Sequence, residues 1–195
     1  MIAAIIPAHD DAARVRHAVD SLHRQTRPPE RILVMSDDST DATVEVALEA
    51  GAEVLLTVDN RQDRAGALNQ ALGTVRMAPD DLVLVLEPGV RLPPGFLDRA
   101  LAALRDRNVG AVPVRSAAGG TAALIRWQAL QDVHRSFGRY CDQGPVTGRL
   151  GLALDLEAVG WHLSPLAEAD EDRPDPDERV TALPLEVVRA EPAAA

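Results

Sequence analysis

The sequence predicts an α/β protein, a mostly parallel sheet with helices on both faces. Three observations carry that expectation. Residues 82–86, Leu-Val-Leu-Val-Leu, form an unbroken apolar run closed by Glu87-Pro88-Gly89, the pattern of a central strand buried on both faces. Further short apolar runs occupy residues 2–6, 31–35, 54–58 and 109–114. Between them, apolar residues recur three and four apart, so helices alternate with strands, as parallel pairing through crossover helices requires.

The first strand, residues 2–6, is stopped by Pro7, and Asp10-Asp11 place acids where a helix N-terminus favours them. Val15, Ala18, Val19 and Leu22 then make one apolar face, and Pro28-Pro29 forbid the helix from continuing. After the second strand, residues 36–41 are a polar loop whose hydroxyls and carboxylates can cap a helix carrying Val44, Val46, Ala47 and Leu48 and ending before Gly51. Ala67, Leu68, Ala71, Leu72 and Val75 mark a third helix, and Phe96, Leu97, Ala100, Leu101 and Leu104 a fourth. Beyond Gly119-Gly120 the pattern reads as one long amphipathic helix through Trp127, Leu130, Val133, Phe137 and Tyr140, packed on the sheet edge. Leu150, Leu152, Leu154 and Leu156 alternate as in a strand, yet Gly160 stands where a helix is capped, and a helix is preferred. From Leu166 onward the chain has nine acids, three arginines and four prolines. Residues 170–178 are therefore expected to be a solvated loop or disordered, and residues 180–188 an edge strand that tolerates Pro184. The division expected is one domain over residues 1–165, with a short C-terminal half, and an acidic Pro-rich segment over 166–195.

At 195 residues such a domain buries about 70% of the surface its unfolded chain exposes, so no metal or disulfide staple is needed. The one cysteine, Cys141, excludes an internal disulfide and is expected to be a half-buried thiol. A net charge of -10 without a basic face argues against a nucleic-acid partner, although all twenty basic residues are arginine. No basic leader and no apolar stretch of membrane-spanning length is visible, so a cytoplasmic protein without a transmembrane segment is expected.

Absent motifs narrow the chemistry. No Gly-x-Gly-x-x-Gly follows the first strand and no Gly-Lys-Ser/Thr loop exists, which disfavours dinucleotide and P-loop folds. The histidines at 9, 17, 23, 134 and 162 show no ligand spacing, and Ser39, lacking a Gly-x-Ser-x-Gly elbow, reads as a cap. What remains is a set of loops leaving the carboxyl ends of parallel strands, where such a sheet binds its ligand. They carry Pro7, Ala8, His9 and Asp10 after the first strand, Asp37 and Asp38 after the second, residues 61–69 after the third, and Glu87 after the central one. Carboxylates there accept hydrogen bonds from a base or ribose, and arginine suits a phosphate.

The order of these loops is itself informative. Ile5-Ile6-Pro7-Ala8-His9-Asp10-Asp11, Ser21-Leu22 with Gln25-Thr26, Pro28-Pro29, Ser39-Thr40-Asp41-Ala42-Thr43 and Ala65-Gly66-Ala67-Leu68-Asn69 resemble the family 2 glycosyltransferases over residues 2–115. The resemblance implies a GT-A fold, a nucleotide-diphosphate-sugar donor and a divalent cation, magnesium or manganese. Carried over by position, it implies that Ala8 and His9 line the nucleotide, that Asp37 faces the base, and that Arg64 to Gly66 lie beside the base or phosphates. The family's metal-holding Asp-x-Asp falls on Glu87-Pro88-Gly89, which keeps one carboxylate, with Glu87 as the metal ligand. Its Thr-Glu-Asp stretch, the source of the acceptor-activating base, falls on Thr147-Gly148-Arg149 and finds no acid. Its later Gln-x-x-Arg-Trp element has no match, since Arg126-Trp127-Gln128 comes too early.

Two functions are therefore expected in competition: a glycosyltransferase that moves a sugar from its nucleotide to an acceptor, or an inactive relative kept as a nucleotide-sugar-binding module or supporting subunit. The missing acids leave room for a protein partner or a homo-oligomer. A sugar nucleotidyltransferase is disfavoured because its Gly-rich pyrophosphate loop is absent.

Overall fold

The computed structural model describes residues 1–115, 121–142 and 151–164. In chain order the elements are β1 (Ile2–Ala8), α1 (Ala12–His23), β2 (Arg31–Ser36), α2 (Thr43–Glu49), β3 (Glu53–Leu56), α3 (Asp63–Thr74) and β4 (Leu82–Leu86). There follow α4 (Phe96–Ala103), β5 (Val109–Arg115), β6 (Thr121–Arg126), α5 (Trp127–Phe137), α6 (Gly151–Ala158) and β7 (His162–Leu163). The strands make one sheet in the order β3-β2-β1-β4-β6-β5-β7. β3, β2, β1 and β4 run parallel, β6 lies antiparallel between β4 and β5, and β7 is parallel to β5. This is the α/β architecture that the apolar runs imply.

All five residues of β4 are buried, and their alternation supplies two cores. Leu82, Leu84 and Leu86 meet Ile2, Ala4 and Ile6 beneath Val15, Val19 and Leu22 of α1 and Phe96 and Leu97 of α4. Val83 and Val85 join Ile5 on the other face, under Leu68 and Leu72 of α3, Leu130 and Val133 of α5, and Leu156 of α6. Two residues of the α1 segment tie the first core together. Gln25 donates to the carbonyls of Ser21 and Pro93 and accepts the amide of Leu97, while Ser21 accepts the amide of Leu92. Both side chains are buried, so these bonds replace the water they have lost.

The structure departs from the sequence reading in several places. Pro7 does not stop β1, which continues to Ala8. Odd residues of β1 face β4, as the bond from Leu82 to the Met1 carbonyl shows, and pairing with β4 ends at Ile5. The missing amide of Pro7 therefore falls where no partner strand remains. Residues 121–126, taken as the start of a helix, form β6, because Ala122 to Ile125 are buried on both faces between β4 and β5. α5 consequently begins only at Trp127 and covers a sheet face rather than the edge. β3 ends at Leu56, with Leu56 and Val58 exposed, as is Leu48 on α2. Cys141 is fully buried, and desolvation pushes its thiol up to about 12. The Leu152 segment is the helix α6, closed by Gly160 in the left-handed region. Residues 119–120, and those assigned to the acidic segment, lie outside the described residues.

Since β6 is interior, Leu124→Ala should destabilise the fold as much as Leu84→Ala, by about 2–5 kcal/mol each. Leu154→Ala, on the exposed side of α6, should cost less than about 1 kcal/mol. Urea unfolding of the three variants checks the ranking.

Candidate functional site

Parallel register brings the strand-end loops together. Ala8 lies opposite Ser36, and Ser36 opposite Leu56, so β1, β2 and β3 end level and release their loops at one edge of the sheet. Polar backbone leaving a buried sheet must find partners, and here it finds them in neighbouring loops.

Asp37 is the centre of this arrangement. Its amide donates to the Ala8 carbonyl at 2.8 Å, and its own carbonyl accepts Nδ1–H of His9 at 2.5 Å. Thr57 Oγ1 donates to one carboxylate oxygen at 2.7 Å and Asn60 Nδ2 to the other at 2.8 Å. The loops after β1, β2 and β3 thus meet on one residue. His9 sits above its ordinary imidazole value, chiefly because its ring donates to the Asp37 carbonyl and also because Asp10, Asp37 and Asp38 stand near.

Asp10, proposed from sequence as a ligand residue, spends its carboxylate on the loop after β2. It accepts the amides of Thr40 at 2.7 Å and Asp41 at 3.2 Å, which hold it below the usual carboxylate range. Asp41 likewise accepts the first helical amides of two helices, Ala12 of α1 and Thr43 of α2. Ser39 caps neither helix; it accepts the Asp10 amide and the Ser36 hydroxyl. Asp38 is exposed at the same edge with a positive φ of 51°. Pro7 and Ala8 are buried strand residues, so they contribute backbone and shape.

Gly66 has a steric role. A Cβ there would stand 1.8 Å from Oδ1 and 2.8 Å from Cγ of Asn60. Only a hydrogen lets Asn60 lie against α3, where it also donates to the Asp63 carbonyl at 2.7 Å while holding Asp37. Asn69, further along α3, accepts the amides of Tyr140 and Cys141 and so fastens the chain that follows α5.

At the end of β4, Glu87 Oε1 pairs with Arg64 Nη1 of α3 at 2.9 Å. The next residues turn back through the bond from Val90 to the Glu87 carbonyl. Gly89 is exposed in that turn, and a Cβ on it would meet Arg14 Cδ of α1 at 3.8 Å. Arg14 is itself paired with the buried Asp11. For a divalent cation this is a poor donor set, because hard cations take several oxygens and Glu87 offers one carboxylate already facing a guanidinium. No three His, Cys, Asp or Glu side chains cluster to hold a metal among the described residues. The described residues at the end of β4 do not fit a protein-held cation. Thr147, Gly148 and Arg149 lie outside the described residues.

Of the residues expected from sequence, Asp37, His9, Arg64, Gly66 and Glu87 are brought by the fold to one edge. Sequence reasoning missed Thr57, Asn60 and Arg14. The usable signal was Asn60 in a polar run directly after a strand, six residues ahead of a glycine inside an apolar helix face. A depression of about 370 Å³ lined by Leu104, Arg105, Arg107, Arg126 and Trp161 lies at the opposite end of the sheet, beside the start of β4.

Gly66→Ala should displace Asn60 and lower stability by about 1–3 kcal/mol, the worth of its hydrogen bonds and the crowding. In Asn60→Ala the same glycine substitution should cost much less. Denaturant unfolding of the four-protein cycle measures this coupling.

The sequence profile described as Glycosyl transferase family 2 matches residues 3–151. Among solved structures, a mannosyltransferase from Pyrobaculum calidifontis in complex with GDP-Man and Mn2+ superposes with a TM-score of 0.66 at 19% identity, covering 83% of this chain and 53% of its own. The glucosyl-3-phosphoglycerate synthase of Mycobacterium tuberculosis gives 0.63 at 18% identity, covering 89% and 73%. The same synthase in complex with Mn2+, uridine-diphosphate and glucosyl-3-phosphoglycerate gives 0.61 at 17%, again covering 89% and 73%. The chain spans about half the length of the mannosyltransferase. No curated protein matches it. No helix among the described residues is long and apolar enough to cross a membrane. The structural likeness shows a shared GT-A fold, and the profile match over most of the sequence shows that the chain belongs to glycosyl transferase family 2.

Proposed function

We propose that the chain binds a nucleotide-diphosphate sugar at the carboxyl ends of β1 to β4, with the base against Asp37 and the diphosphate toward Arg64 and the turn after β4. The observation that carries this reading is the convergence of three loops on Asp37, which holds its carboxylate in place before any ligand arrives. An ionised carboxylate only accepts, so it favours a base with N–H on its pairing edge, uracil or guanine, over one presenting a ring-nitrogen acceptor there. Each oxygen of Asp37 accepts one bond from the protein and keeps a lone pair for the base. The guanosine and uridine nucleotides of the two neighbours are consistent with that rule.

Moving the sugar requires more: a base for the acceptor hydroxyl and positive charge at the leaving diphosphate. Asp142 and Asp155, the first acids along the chain on either side of Thr147-Gly148-Arg149, both pair with Arg139, at 3.1 and 2.6 Å. Glu87 is held by Arg64, and Gly89 brings no acid. These pairings favour the second reading, a donor-binding module or supporting subunit without turnover, as the state of this chain alone.

Calorimetry with nucleoside diphosphates tests the site. Asp37→Ala should lose one to two decades of affinity, about 1–3 kcal/mol. No binding to the unaltered chain at millimolar ligand would reject the donor-site reading. Release of nucleoside diphosphate from the donor sugar, with water as acceptor, should be at background; release at enzymatic rates would reject the second reading.

His9 sets a pH dependence. Its raised pKa means that the protonated form is favoured in the fold, a contribution complete below the unfolded value of about 6.5 and lost as pH rises through the higher folded one. Affinity for the anionic diphosphate should fall across the same window, and the fall should vanish in His9→Gln.

A further inference from the structure

We propose that Arg14 and Arg64 hold the donor's diphosphate in place of a divalent cation, so that this site binds nucleoside diphosphates without metal. The proposal rests on the donor-site reading above and adds to it what neutralises the phosphates.

The turn after β4 is flanked from both sides of the sheet. Arg14 belongs to the first turn of α1, in the core layer under Leu84 and Leu86, and Arg64 to the first turn of α3, in the layer under Val83 and Val85. One guanidinium pairs with Glu87 and the other side chain passes over Gly89, two residues on. Arginines therefore stand at both positions where an Asp-x-Asp pair would present carboxylates. Where Gly89 has no side chain, Arg14 has room.

Exposure gives the two ion pairs a direction. Arg14 is 65% exposed against 6% for Asp11, and Arg64 42% against 20% for Glu87. In each pair the acid is the more buried partner and meets a terminal nitrogen of a guanidinium that carries further N–H donors. Arginine offers five donors in a planar fork that matches phosphate oxygens. A diphosphate brings more than one negative charge, and two guanidiniums meet it without a bound ion. Glu87 then acts as a counter-ion that the incoming phosphate must compete with, and not as a ligand that helps it.

That role inverts the expected effect of one substitution. Binding of UDP and of GDP to the full chain is measured by calorimetry in EDTA and in manganese chloride, with melting curves to establish that each variant folds. Affinity in EDTA should lie within about threefold of that in manganese. Arg14→Gln and Arg64→Gln should each lower it about tenfold or more, and Arg14→Lys, which keeps charge without the fork, should fall between. Glu87→Gln should raise metal-free affinity about two- to tenfold by removing the competing carboxylate. Gly89→Asp should lower metal-free affinity and create a response to manganese.

Binding that appears only with manganese and is lost in Glu87→Gln would overturn the proposal while leaving the donor site standing. Unchanged affinity in Arg64→Gln and in both Arg14 variants would overturn it too. Absence of binding in both buffers would overturn the donor-site reading first, and this one with it.

Discussion

A strand buried on both faces and hydrogen-bonded on both edges admits polar groups only where it ends. β4 is such a strand, and β1 and β2 share its condition. With helices covering both cores, water and ligands reach the middle of the sheet at the strand ends alone. The parallel register places these three ends, and that of the edge strand β3, side by side. The position of the candidate site follows from burial, before any side chain has been chosen for chemistry.

Within the site, most acids serve the scaffold. Asp10 and Asp41 join the loops after β1 and β2: Asp10 is held below the usual carboxylate range by the amides of Thr40 and Asp41, and Asp41 chiefly by the Thr43 hydroxyl and then by the amides of Ala12 and Thr43. Their support is present above the ordinary aspartate value and is lost as pH falls through the lowered ones. Asp11 is buried and carries the pair with Arg14. Asp37 differs because its bonds come from side chains and leave acceptor capacity in place. An acidic edge can thus still suit an anionic ligand, since much of its charge is already matched by amides, hydroxyls and guanidinium groups.

The elements with strong periodicity were legible: β4 with its five buried residues, and the apolar faces of α1, α3 and α4. β6 was not, because Ala-Ala-Leu-Ile fits a buried strand and a buried helix equally and only its place between β4 and β5 decides. Pro7 misled for a related reason: whether a proline ends a strand depends on which edge it faces, and that is set by a neighbour far along the chain. In the site, residue types were legible and their partners were not. Nothing in the sequence says that Asn60, rather than a ligand, occupies the space above Gly66, or that Glu87 meets Arg64. Such pairings are made by three-dimensional register across separate loops.

The close approach of Asn60 to Gly66 reaches beyond this one chain. A position that accepts only hydrogen is restricted by shape, whatever the protein does with its ligand. Ser21 and Gln25 are similarly tied to the main chain of the α1–α4 layer. A relative that does not transfer sugar would still lose stability on losing the contacts these four residues make. Likeness at such residues would therefore report a shared frame, whereas an exposed position such as 89, where a Cβ would make only an ordinary contact, can change without disturbing it.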